Sequence, residues 1–189
     1  MTRDEAWSLL TQHTASPALL KHMLAVEAVM RAYARRFGED EATWGFAGLL
    51  HDLDYERHPS QQDGHPFVGV EVLRSHGVSE PVCRAILAHA DYSGVPRETP
   101  MEKALYAADE LAGFVIAVAL VKPSRSLADV DAVSVLKKMK DKAFARGVRR
   151  EDIVRGADEL GLGLEEHITF VIQALRSVAS ELGLDGAGR

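Results

Sequence analysis

Gly48-Leu49-Leu50-His51-Asp52-Leu53-Asp54-Tyr55 decides how this chain is read, because an imidazole and a carboxylate stand side by side directly behind an apolar segment. The apolar approach predicts a helix from about Glu41 to the pair, and helical spacing puts His51 above Trp44 and Gly48. Working outward, His22 shares a helical face with Val26 and Val29, His89 continues the stripe of Val82 and Ile86, and His65 opens a segment between them. Asp109 falls between Leu105 and Ala112 on the most apolar helix of the chain. A single inward histidine is ordinarily a core residue bonded to a backbone carbonyl. Several on different helices, all facing inward, argue for something held in common. Asp109 is hardest to explain otherwise, since an inward carboxylate on so apolar a helix needs a cation, an arginine or a proton. Neutral imidazoles and ionised carboxylates suit a divalent metal of intermediate hardness. The residues alone therefore point to His22, His51, Asp52, His65, His89 and Asp109 as ligands of one or two ions.

Helical periodicity continues over most of the sequence. Thr2 and Asp4 start a short helix towards His13, and Ser16-Pro17 opens a longer one that Gly38 ends. Glu56 to Gly64 reads as a polar loop. His65-Pro66 opens a helix that stops at Gly77, and Ser79-Glu80-Pro81 caps another that reaches His89. A loop from Asp91 to Pro100 leads to a long apolar helix, Met101 to Val121, stopped by Pro123. Further helices are expected at Ala132–Lys142, Arg150–Leu160 and Leu164–Leu182. No segment alternates with period two long enough to make a strand. The expectation is an all-α chain with a single domain over 1–182, its metal-site core at about 20–121 and C-terminal helices at 131–182. The glycine-containing tail 183–189 is expected to be flexible.

Composition narrows the function classes. The 189 residues are 47% apolar and 26% charged, with a formal net charge of −6. Such a balance speaks against broad binding to a nucleic-acid backbone, so no nucleic-acid polymer is expected as a partner. Cys83 is the only cysteine, which excludes an intramolecular disulfide and a thiolate zinc site and fits the reducing cytoplasm. The apolar run Leu111 to Val121 is too short to cross a bilayer, so no membrane partner is expected either. Oligomeric state is not legible.

The ordered set His22, His51-Asp52 and Asp109 resembles the HD-domain superfamily of metal-dependent phosphohydrolases. The stretch His65-Pro66-Phe67-Val68-Gly69 and the position of His89 resemble its two-metal branch. Gly94-Val95-Pro96 with Ala107-Ala108-Asp109 looks like a shortened HD-GYP signature. The resemblance covers about Leu20 to Phe114. It implies a compact helical HD bundle, one or two divalent ions (Mn, Fe, Ni, Co or Zn), and hydrolysis of a small phosphate ester or nucleotide by a metal-activated water. In the binuclear form Asp52 would bridge, with His22, His51 and Asp109 on one ion and His65 and His89 on the other. Ala90 stands where that branch has a second histidine, which argues against a third ion. The same ligand order also resembles the mixed-valent di-iron oxygenases of the superfamily, and a non-catalytic metal- or nucleotide-binding module is a third reading.

Three further groups complete the expectations. Asp54 reads either as a support or proton acceptor beside the doublet, or as a helix-end carboxylate in water. Lys122 and Arg125, directly after the helix of Asp109, read evenly as phosphate-binding cations or as a solvated loop. The Lys137–Lys142 run reads as a solvated face. His167, beside Glu165 and Glu166, is expected to face solvent.

Overall fold

The computed structural model describes residues 1–187, and among them the only regular elements are helices. The all-α expectation holds. The described chain divides into two compact units, residues 1–106 and the remainder from Ala107.

The first unit is built on α1 (Arg3–His13), α2 (Pro17–Phe37), α3 (Glu41–Leu50), α4 (Phe67–Ser75) and α5 (Glu80–Ala88). Local chemistry sets their ends. Thr2 and Glu5 form a reciprocal capping box at the start of α1. Ser16 accepts from the Leu19 amide with Pro17 in the first turn of α2, and Gly38 closes that helix at φ 71°. Asp40 caps α3 through the Thr43 amide. The pair α2 and α3 forms the centre, and α3 also packs on α1 and α5, while α4 packs on α5. Met23, Val26, Met30 and Tyr33 of α2 and Leu49 and Leu50 of α3 are fully buried there. The two helices come close because residue 48 has no side chain: a Cβ at Gly48 would stand 2.7 Å from the carbonyl oxygen of Val26.

A second anchor of this unit is polar. Glu102 lies near the start of α6 (Pro100–Leu120) and is buried. It accepts from the backbone amides of Glu98 and Thr99 and from Arg84 Nε at 2.8 Å. Burial pushes its carboxyl up, but those donors outweigh burial and hold it below the usual carboxylate range.

The second unit contains the rest of α6, then α7 (Ala132–Met139), α8 (Arg150–Glu159), α9 (Leu164–Arg176) and α10 (Ala179–Leu182). α9 packs on α7 and α8 through Ile168, Val171, Ile172 and Leu175. Two expectations are corrected here. The predicted helix 164–182 breaks after Arg176, where Val178 leaves helical geometry at φ −120°, ψ 18°. His167 is fully buried, not solvent-facing, and its Nε2 donates to the carbonyl of Ala107 at 3.0 Å. Part of the segment expected to be flexible makes defined contacts. Leu184 is buried and accepts from the Leu127 amide, and Asp185 bridges to Ser126. Residues 188 and 189 of the expected flexible segment lie outside the described residues. No helix among the described residues is long and apolar enough to cross a membrane.

Candidate metal centre

The end of α3 delivers the quoted doublet. His51 is the C-terminal cap of α3, and the chain turns immediately after it through Asp52, Leu53 and Asp54. Leu53 is buried and pins this turn to the core. His22 comes from the second turn of α2, His65 from the segment before α4, and His89 from the C-terminal cap of α5. Four separate pieces of the first unit thus meet at Asp52.

The geometry is centred on that carboxylate. The Nε2 atoms of His51 and His65 lie 3.4 Å from Asp52 oxygens, that of His89 at 3.8 Å and that of His22 at 3.9 Å. The rings of His51 and His89 stand 5.2 Å apart, edge to face, and those of His65 and His89 5.1 Å apart. His51, Asp52 and His89 each offer one ligand atom, and these atoms all lie within 4.8 Å of one another.

The opposite side of three of these rings is fixed. His51 Nδ1 donates to the carbonyl of Gly48 at 2.8 Å, and His89 Nδ1 donates to the carbonyl of Ile86. His65 Nδ1 donates to Asp54 Oδ1 at 2.8 Å. A carbonyl can only accept, so Nδ1 of His51 and of His89 carries the proton, and in the neutral ring Nε2 then presents its lone pair. Lone pairs and a carboxylate all aimed at one small volume repel unless positive charge lies between them. This donor set, imidazole nitrogen with carboxylate oxygen and each ring oriented from behind, fits a divalent cation.

Asp54 is buried and engaged. Besides His65 it accepts from the Gly69 amide at 2.6 Å, in the first turn of α4. A helix-end carboxylate in water, one of the two readings of the sequence, is therefore not what the structure has. Gly69 itself is required, since a Cβ there would stand 2.9 Å from the Asp54 carboxyl carbon. Tyr55, 44% exposed, sets its ring edge to face with His65 at 5.3 Å.

The segment following His89 is also tied down. Arg97 donates to the carbonyl of Ala88 at 3.0 Å and to Asp91 at 2.8 Å, and its guanidinium lies 3.6 Å above the ring of Tyr106. Sequence reading missed this clamp, because no local pattern links Arg97 to a carbonyl nine residues upstream.

The remaining candidates lie on α6 and beyond it. Asp109 is half-buried on α6 in the second unit. Lys122 and Arg125 occupy the loop that follows that helix, where Arg125 is exposed in a left-handed conformation at φ 49°. From Asp109 to the last residue of α6, Leu120, the helix advances about 16 Å.

Comparison with known proteins agrees with this architecture. Ribonuclease Y of Oleidesulfovibrio alaskensis is 30% identical over 98 residues, which are 52% of this chain and 18% of that protein. Ribonuclease Y of Nitratidesulfovibrio vulgaris is 29% identical over the same length. Ribonuclease Y 2 of Levilactobacillus brevis is 30% identical over 95 residues, 50% of this chain and 17% of that protein. The match thus spans less than a fifth of these relatives. No solved structure matches. The names of the relatives overturn the expectation that a nucleic-acid polymer is excluded as a partner. That expectation rested on net charge, which averages over a chain with a locally basic segment at 137–150. The HD domain matches residues 19–113, the stretch that contains His22, the doublet, His65, His89 and Asp109, and with half of its length so matched the chain belongs to the HD-domain family.

Proposed function

We propose that this protein is a metal-dependent hydrolase of phosphoric ester bonds and that RNA is its substrate class. The observation that carries the first part is the arrangement around Asp52, with three imidazoles oriented from behind and their Nε2 atoms facing one carboxylate. Support for the second part is the ribonuclease name shared by relatives that match the same half of the chain.

His51, Asp52 and His89 would hold an ion, with His22 and His65 completing a set for one or two. A divalent ion so held acidifies a water and neutralises charge on phosphoryl oxygens. The protein's own residues prepare the place for this chemistry. Asp52 supplies the central anion, and the carbonyls of Gly48 and Ile86 fix which ring nitrogen of His51 and His89 carries a proton. Asp54 holds His65 by Nδ1 and is itself held by the Gly69 amide, so its role is positioning. Burial of His51, His65 and His89 limits competing solvent at their ring nitrogens.

The test is elemental analysis of anaerobically purified protein, followed by assay of the metal-loaded form on a labelled oligoribonucleotide, nucleotides and simple phosphate monoesters. At least one equivalent of a transition metal and cleavage of the oligoribonucleotide are expected, and H51A should lose both. A metal-loaded protein that cleaves no phosphoric ester contradicts the proposal.

A further inference from the structure

Residues 137–150 carry seven cations, Lys137, Lys138, Lys140, Lys142, Arg146, Arg149 and Arg150, against the single carboxylate of Asp141. The chain as a whole has a net charge of −6, so the other 175 residues carry −12. The structure shows that these cations do different work. Arg150, at the start of α8, clasps the loop between α7 and α8. Its Nη1 donates to the carbonyls of Ala145 and Val148, both at 2.6 Å, and its Nη2 donates to those of Asp141 and Phe144. Its guanidinium lies 4.9 Å from the ring centre of Phe114, and Phe144 packs edge to face on that same ring at 5.5 Å. Lys138 faces Asp141 at 3.9 Å and the Phe144 ring at 4.7 Å. Arg149 pairs with Asp152 at 3.2 Å.

Lys138 of α7 and Arg150 of α8 thus brace the loop from its two ends, and four cations remain outward: Lys137 in the last turn of α7 and Lys140, Lys142 and Arg146 in the loop are all exposed. Three like charges on a clasped loop and a fourth on the adjoining helix end repel one another. Holding them together costs stability in the unbound protein and favours whatever brings several negative charges at close, regular spacing. A sugar–phosphate backbone does that, and its binding releases condensed counterions.

We propose that the loop between α7 and α8 is a docking surface for the backbone of single-stranded RNA, with Lys137, Lys140, Lys142 and Arg146 contacting phosphates. This rests on the reading of RNA as substrate and adds which segment of the second unit grips the polymer. It predicts that long RNA is held better than a mononucleotide.

The test is fluorescence anisotropy of a labelled single-stranded oligoribonucleotide with the full chain, titrated in excess chelator at several salt concentrations. Chelator removes the metal centre's contribution, so binding is scored apart from hydrolysis. The variant K140E/K142E/R146E should bind at least 10-fold more weakly, and the slope of log affinity against log salt should shrink by about 2, at roughly 0.7 per lost phosphate contact. Reversal of two cations elsewhere, R36E/K103E, should change affinity less than 3-fold. Metal-loaded wild type and triple variant should turn over a mononucleotide alike. Equal losses in the loop and control variants, or binding to anionic lipid vesicles but not to RNA, would overturn the proposal. Loop-dependent binding by a metal-loaded protein that cleaves nothing would instead sink the hydrolase reading and leave the docking surface standing. Because the substituted side chains are exposed, thermal melting should be unchanged, and K142E alone serves if the triple variant melts early.

Discussion

Two carboxylates of the first unit, Glu27 and Asp52, are both withdrawn from water and are treated in opposite ways. Glu27, on α2, is met by guanidinium groups: Arg3 reaches it with Nε at 2.8 Å and Nη2 at 2.9 Å, and Arg31 with Nη2 at 2.8 Å. Its charge is balanced by the protein. Asp52 is met by four imidazole nitrogens at 3.4–3.9 Å, and for His51 and His89 the proton sits on the far side of the ring. The first arrangement holds α1 and the α3 entrance onto α2. The second gathers imidazole nitrogens around a carboxylate, the donor set on which the proposed metal site rests.

Exchanging the roles is the sharpest way to break this contrast. D52A should abolish metal binding and lower hydrolysis by 1,000-fold or more, while changing the stability of metal-free protein little. E27A should do the reverse: an unaltered metal content, with a loss of about 1–3 kcal/mol in chemical denaturation because two arginines lose their partner. If D52A destabilises the metal-free protein as much as E27A does, Asp52 is a structural residue and the contrast fails.

A smaller effect is expected one step behind the ligands. D54N keeps the size of the side chain but weakens the anchor on His65 Nδ1, and metal affinity should fall by roughly 10–100-fold with the fold intact. Calorimetric titration with the metal that co-purifies would show it, and an unchanged affinity would remove Asp54 from the positioning role.

Glu102 gives the mildest test, by pH. Its folded carboxyl is held below the usual range by the Glu98 and Thr99 amides and Arg84, against the push of burial. A depressed folded value means its contribution is fully present above the unfolded carboxylate value and is lost as pH falls through the folded one. E102Q should lower stability by about 1 kcal/mol at neutral pH. The difference from wild type should shrink on acidification, as read by urea denaturation at several pH values. A difference that grows towards acid would contradict this assignment.

Much of the fold was legible because its signals are local. Ser16-Pro17, Gly38 and Asp40 each act within one turn of the chain, and the ends of α2 and the start of α3 fall where those residues stand. The metal candidates stood out in the sequence because several inward polar residues on separate helices share no ordinary explanation. His167 was misread from its neighbours Glu165 and Glu166, although it stands four residues before Val171 on the buried stripe of α9. That spacing could have found it. A supporting role for Asp54 was one of its two readings, but its partners were beyond reach, since it meets His65 and Gly69 only after the 56–64 loop has folded back. Net charge misled in a similar way, because a sum over 189 residues hides a loop of opposite sign.

Anomalous diffraction at a transition-metal edge, from crystals of anaerobically purified protein, addresses the central claim most directly. The account predicts a peak about 2.0–2.2 Å from His51 Nε2, from an Asp52 oxygen and from His89 Nε2, with Nδ1 of both histidines still on their carbonyls. Ordered imidazoles hydrogen-bonded to Asp52 with no peak among them, in protein that has bound its metal elsewhere, would contradict it.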